Sequence, residues 1–321
     1  MSGTGRAVTH VVGRDRPGDP VAAAARALMK ALARGGRPGR LVTAADVAAR
    51  EQGPDELLVV HSSDGGESLG AALPDLVGRH LTLVHHGSAV GADRSVLRAL
   101  RAPTTWAVAV GPAAGEELRA LGYRTVTPLR PLLFDDPFDV DPDAEAADHL
   151  RAHPGPAILH VGPLAPNRSL EALLDAFTEL VTRRTPSATL SLCGPSTSWY
   201  LAWLRRRISA HGLRPCELIE PTDEGQVLAR LERADAFVAL HPAALDPYLS
   251  RAARDGIPIV SPRSATTAEL DGLVEVSPRA GVGEITQALE AAVDRGTTRT
   301  SQAAPAEAPH LDALVRQLGL P

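Results

Sequence analysis

The strongest constraint on the fold is an alternation: short apolar runs, each followed by a longer stretch of helical periodicity, recur from residue 7 to about residue 295. Apolar runs bounded by turn residues read as buried strands, and helices between successive runs imply parallel sheets with covered faces. In the first half, Ala7 to Val12, Leu41 to Thr43, Leu57 to His61, Leu81 to His86, Trp106 to Val110 and Thr125 to Thr127 read as strands. Helical stretches fall near Pro20 to Arg34, Gly66 to Val77, Ala92 to Arg101 and Pro112 to Leu121. That is one Rossmann-like unit, residues 1–130.

Pro128 to Pro142 interrupts the pattern with prolines and acidic residues. Each proline removes a backbone donor and fixes φ, so the stretch holds neither a regular helix nor a central strand. Residues 131–150 are therefore expected to link two domains. The pattern restarts at Ala157 to Val161, before a helix whose Leu170, Leu173, Leu174, Phe177, Leu180 and Val181 share one face. Strands Thr189 to Cys193, Glu217 to Ile219, Ala236 to Leu240 and Ile257 to Ser261 follow, with helices at Tyr200 to His211 and from Asp223. Asp223 with Gln226 three positions on reads as a capping box, and Asp246-Pro247 as an N-cap followed by proline at the first helical position. A helix ends at Gly256. Residues 151–295 form the second unit, and 296–321 are expected to be a mobile tail with a short helix at Leu311 to Leu318. The predicted fold class is α/β, two Rossmann-like domains facing a cleft.

Composition narrows the partners. Thirty-three basic against 38 acidic residues give a net charge of −5, and the two signs alternate through the chain instead of forming one basic face, which argues against nucleic acid. Two cysteines, Cys193 and Cys216, rule out a disulfide framework and suit a reduced, cytoplasmic setting. No signal-peptide core precedes the first strand, and no run approaches the roughly 20 apolar residues of a membrane helix.

The common catalytic signatures are missing. No G-x-x-x-x-G-K-[ST] loop occurs, Gly13 to Gly18 does not fit G-x-G-x-x-G, and neither G-x-S-x-G nor H-E-x-x-H is present. Histidines stand at the expected strand ends: His10, His61, His86, His160 and His241. The carboxyl ends of parallel strands are where α/β folds bind ligands, so five such histidines are expected to converge on the cleft.

His160 to Glu171, reading H-V-G-P-L-A-P-N-R-S-L-E, resembles the V-G-R-x-A-P-N-K-G segment of family 4 glycosyltransferases. In register with it, Leu192 to Ser198 resembles L-V-G-x-S, Arg233 to Val238 resembles R-A-D-x-F-V, and Asp255 to Val260 resembles C-G-V-P-V-V. Pro17-Gly18-Asp19, His61-Ser62 and His85-His86-Gly87 are similar to positions in the first domain of a bacterial branch of that family. The resemblance spans about residues 5 to 280 and implies the GT-B fold. It further implies a nucleotide-sugar substrate on the second domain, an acceptor and one histidine on the first, and transfer with retention. No metal or other cofactor is implied, because basic groups and helix N-termini answer the leaving diphosphate. His86 takes the place of the family histidine, with His85 beside it leaving the register open; Gly162, Asn167, Arg168 and Arg251 fall at donor-site positions.

The pattern also departs. The family's diphosphate arginine is replaced by Pro163, and its two motif glutamates by Ala243 and Arg251. Arginine has no acceptor, so Arg251 cannot receive ribose hydroxyls and would have to bind phosphate or ribose oxygen instead. Asp246, as an N-cap, places a carboxylate where an anion would bind. Two functions stand open on these residues: a glycosyltransferase with an unusual donor site, or a non-catalytic relative that supports another enzyme as a protein partner.

Overall fold

The computed structural model describes residues 8–296, apart from 14, 16, 35–36, 49–55, 63–68, 71, 78, 87–91, 111, 130–137, 139, 154, 221–222, 242–245, 265–266, 268–269 and 271. Ala243 and the helix expected at Leu311 to Leu318 lie outside the described residues.

In the first half, β1 (Val8–Val12), α1 (Pro20–Arg34), β2 (Gly39–Thr43), α2 (Ala44–Ala48), β3 (Leu57–Ser62) and α3 (Leu73–Leu76) come first. They are followed by β4 (Leu81–His85), α4 (Ala92–Leu100), β5 (Thr104–Val110), α5 (Pro112–Ala120) and β6 (Val126–Leu129). All six strands are parallel, in the order β2-β1-β3-β4-β5-β6. The chain leaves β1 to one side for β2 and then crosses to the other side for β3. The gap between β1 and β3 is therefore the topological switch point, where a parallel sheet opens a crevice at its carboxyl edge.

The second half contains α6 (Ala144–Arg151), β7 (Ala157–Val161), a 3-10 turn (Pro166–Arg168), α7 (Leu170–Arg183), β8 (Thr189–Cys193), α8 (Ser198–Ala210) and β9 (Cys216–Ile219). Then come α9 (Glu224–Arg233), β10 (Ala236–Val238), α10 (Pro247–Arg254), β11 (Ile259–Pro262), β12 (Leu273–Val276) and α11 (Val282–Gly296). This sheet is also parallel, in the order β12-β11-β10-β7-β8-β9, the strand order of dinucleotide-binding folds. Its switch point lies between β7 and β10.

Both faces of the second sheet are apolar, as a parallel sheet requires. Ile158, Leu190, Leu192, Val238 and Val260 pack with Leu173, Leu174, Phe177 and Leu180 of α7 and Leu289 of α11. Alternate positions Leu159, Val161, Cys193, Phe237 and Ile259 pack with Val227 and Leu231 of α9 and Tyr248 and Leu249 of α10. The face expected for α7 is the buried one, with Val181 at its half-buried margin. Helix α6 lies within the segment read as linker: Asp143 caps it, accepting from the Ala146 amide at 2.7 Å, and it packs on α9.

The halves meet through α1. Ala23 belongs to the same buried cluster as Tyr248, Leu249 and Phe237. The Gly18 amide donates to the Tyr248 hydroxyl at 3.0 Å, and that hydroxyl donates to Glu224 at 2.5 Å. Arg26 of α1 is ion-paired to the same carboxylate. Burial raises the Glu224 pKa, against the pull of Tyr248 and Arg26. The loop leaving β1 is thus fastened to the start of α10, which sets the two carboxyl edges toward each other.

Candidate functional site

In the first domain, a line of three histidines follows from side-chain alternation. His10, His61 and His86 fall on one face of the sheet, because His10 is opposite Val59 and His61 is opposite Val84 in the pairing register. His10 Nδ1 is 3.0 Å from His61 Nε2, and His61 Nδ1 is 2.9 Å from His86 Nε2. All three rings are buried, and the line crosses the switch point from β1 through β3 to the end of β4. Burial lowers the pKa of His10 to about 4 and of His86 to about 3, and pushes His61 well below its ordinary value. The rings are neutral at pH 7.

His85 points to the opposite face. Its Nδ1 meets the Ser62 hydroxyl at 2.9 Å and its Nε2 meets Glu117 of α5 at 3.4 Å. His86, not its neighbour, joins the line.

In the second domain, the switch point is built from backbone. Gly162 and Gly194 end β7 and β8 with φ of 147° and 151°. The Gly162 amide donates to the Cys193 carbonyl at 2.9 Å, and a Cβ at Gly194 would lie 2.0 Å from the Gly162 carbonyl oxygen. Only glycine fits at 194. His160 spans the switch point itself: its Nδ1–H donates to the Val238 carbonyl at 2.9 Å. Its Nε2 is buried without a protein partner among the described residues, and burial lowers its pKa to about 4.

The 3-10 turn that follows Gly162 delivers Arg168. Its Nη1 donates to the His241 carbonyl at 3.2 Å, while His241 Nε2 lies 2.8 Å from the Ser169 hydroxyl. Ser169 has φ 55°, the only non-glycine residue with positive φ among the described residues, at the place where the family pattern carries glycine. It precedes α7 without capping it through its side chain. Strain of about 1 kcal/mol or more is usual for such a residue, and it collects at binding sites.

Asp246 caps α10, accepting from the Tyr248 amide at 3.0 Å and the Leu249 amide at 3.1 Å. Burial raises its pKa to about 6, while those two amides and the Arg168 charge pull the other way. One cation and one buried carboxyl therefore share this mouth.

The remaining donor-side positions divide. Asn167 is exposed in the 3-10 turn. Arg251 donates from Nε to Asp255 at 2.7 Å and lies 3.8 Å from Glu232, at the end of α10 away from Asp246. Its charge is already answered by carboxylates.

The five histidines do not form one polar cluster. His10 is the middle residue of β1 rather than its end, and it joins a first-domain line with His61 and His86; His160 and His241 belong to the second domain. Strand alternation, not position along the strand, decides which rings meet. Sequence reading overlooked Ser169 as a strained residue and the Gly18–Tyr248–Glu224 bridge. The glycine in the family pattern was a signal for the first; nothing in spacing signals the second, which joins residues 230 positions apart. Among the described residues, no three His, Cys, Asp or Glu side chains are grouped to hold a metal ion, and no helix is long and apolar enough to cross a membrane.

No protein-family model matches the sequence, and no curated protein sequence matches it. Solved structures do. HepE of Anabaena, in complex with UDP and glucose, superposes with a TM-score of 0.62 at 15% identity, over 97% of this chain and 94% of that one. Sucrose-phosphate synthase of Thermosynechococcus elongatus gives 0.61 at 13% identity, over 91% and 90%. A UDP-forming trehalose-phosphate synthase of Burkholderia vietnamiensis gives 0.55 at 16%, over 86% and 70%. The chain has the GT-B fold, the two-sheet architecture of glycosyltransferases.

Proposed function

We propose that the chain is a glycosyltransferase of the family 4 type, binding a nucleotide sugar at the second-domain switch point and transferring the sugar, with retention, to an acceptor on the first domain. The observation that carries this is Arg168, in the turn that follows Gly162, with its charge acting on His160 at the switch point and on Asp246 at the mouth of α10. Glycines let a ligand approach the backbone, and a guanidinium grips phosphate oxygens in a bidentate way. One fold neighbour, HepE, is solved with UDP and with UDP-glucose, which supports a uridine diphosphate sugar as the first donor to try.

In this reading Gly162 and Asn167 line the diphosphate, Arg168 neutralises its developing charge as the sugar leaves, and His86 faces the sugar from the first domain. With a single cation at the mouth, Arg168 has to do what the family shares between two groups. Arg251 pairs with Asp255 at the end of its own helix and with Glu232 of α9, and in this reading contacts no phosphate.

A second reading rests on Asp246 and Arg251. A buried carboxyl already caps the helix that would face the donor, and Arg251 of α10 is held by acids. Both the cap and the pairing of Arg251, one of the two arginines of α10, fit a non-catalytic GT-B protein that supports a catalytic partner. Transfer assays on the purified chain separate the two. His86→Ala and Arg168→Ala each abolish transfer and leave the fold intact if the enzyme reading holds; unchanged turnover in either removes that residue from the site.

A further inference from the structure

The ring nitrogens of the histidine line alternate in a way that constrains all three tautomers together. A neutral imidazole has one donor nitrogen and one acceptor nitrogen. With two ring-to-ring bonds at 3.0 and 2.9 Å, choosing the tautomer of any one ring fixes the other two. Only two states exist. In one, His10 Nδ1–H donates to His61, His61 Nδ1–H donates to His86, and His86 is left with Nδ1–H. In the other, every bond is reversed, and the N–H is left on His10 Nε2.

The two ends are not equivalent. His10 Nε2 and His86 Nδ1 are both buried without a protein partner among the described residues. At His10 the free nitrogen lies inside the sheet–helix layer, where Cδ2 of the ring is 3.4 Å from the place of a Cβ on Gly39 and Met29 packs against the same glycine. His86 stands where β4 ends, at the carboxyl edge of the sheet, the side on which α/β folds bind ligands. A buried N–H without an acceptor is the more costly orphan, and a bare lone pair the more tolerable one. The state with the lone pair on His10 and the N–H on His86 is the favoured one.

We propose that His61 and His10 are positioning residues for His86, locking it as the Nδ1–H tautomer so that it offers a hydrogen-bond donor at the carboxyl edge of the first domain. The role of that donor toward a sugar oxygen rests on the glycosyltransferase reading; the lock itself does not. Because burial holds all three rings neutral, the donor is an uncharged N–H across the ordinary pH range.

The test is long-range ¹H–¹⁵N NMR of the full chain carrying ¹⁵N-histidine, with His86 assigned by its loss in His86→Gln. The expected spectrum shows His86 with a protonated Nδ1 and a bare Nε2, and His10 likewise, unchanged from pH 8 to pH 6. His61→Leu removes the lock, and His86 then becomes a mixture or shifts to Nε2–H. His61→Gln restores Nδ1–H, since an amide donates to His86 from nitrogen and accepts from His10 at oxygen. Nε2–H on His86 in the unaltered protein, or an unchanged His86 signature in His61→Leu, overturns the proposal. If His61→Leu fails to fold, the unaltered protein and His61→Gln decide it. No ligand is needed for this readout. A locked His86 in a chain that binds no nucleotide sinks the transferase reading alone, whereas sugar transfer by a chain with the wrong tautomer sinks the lock alone.

Discussion

The two switch points of this molecule are filled in opposite ways. In the first domain the gap between β1 and β3 is crossed by imidazoles bonded to one another, so three polar side chains are buried as a neutral line with an unpartnered nitrogen at each end among the described residues. In the second, the gap between β7 and β10 is crossed by His160 alone, and its edge carries Gly162, Gly194, Arg168 and the buried cap Asp246. Three rings cross one crevice and a single ring, that of His160, crosses the other. The contrast teaches how the two edges differ: the second carries a guanidinium and two positive-φ glycines, the first a neutral imidazole.

The comparison can be broken most violently at Gly194. With φ of 151° and a Cβ that would lie 2.0 Å from the Gly162 carbonyl, Gly194→Ala is expected to cost about 4 kcal/mol and shift the denaturant midpoint accordingly. A loss under about 1 kcal/mol would mean that the two strand ends do not approach as described.

The histidine line gives the next largest effect, and its sign follows from linkage. His10 titrates near 6.5 unfolded and at about 4 folded, so the native state binds fewer protons between those values. Its contribution is fully present above pH 6.5 and disappears as pH falls through 4, to the extent of about 3 kcal/mol. His86 and His61 act in the same direction. Asp246, raised from 3.8 to about 6, has the opposite sign and offsets part of it: its proton favours the native state below pH 6. The melting temperature should therefore decline between pH 6.5 and 4, and His10→Gln should flatten that decline. A parallel decline in the variant would contradict the burial of a neutral ring.

Arg251 sharpens the comparison with the smallest effect. Held by Asp255 and Glu232, it should change stability by about 0.5 kcal/mol on replacement with alanine, and leave nucleotide affinity within twofold. A tenfold loss of affinity would return it to the donor site.

Most of the architecture was legible in the residues because it follows from periodicity. Strands Ala157–Val161 and Thr189–Cys193 and helix Pro20–Arg34 begin and end where the apolar pattern does, and the caps at Asp223 and Asp246 accept the backbone amides that their spacing predicts. Helix α6 was harder to see, since its short amphipathic pattern sits among acidic residues beside the prolines. The site was legible only in its parts. The residues from Val161 to Ser169 mark the second-domain crevice, but the meeting of His10, His61 and His86 depends on strand order and register, which no local pattern encodes. The bridge from Gly18 to Tyr248 depends on how the two halves pack.

The most direct test of the account is the thermal midpoint of the purified chain and of Arg168→Ala across UDP, GDP, TDP, ADP and their sugars, because a ligand that binds only the folded state raises it. The account predicts a selective rise for one nucleotide in the unaltered chain and a rise reduced by the equivalent of about tenfold in affinity in Arg168→Ala, roughly 1.4 kcal/mol of binding. A flat panel at millimolar ligand, or an equal rise in both proteins, would contradict a donor site at Arg168.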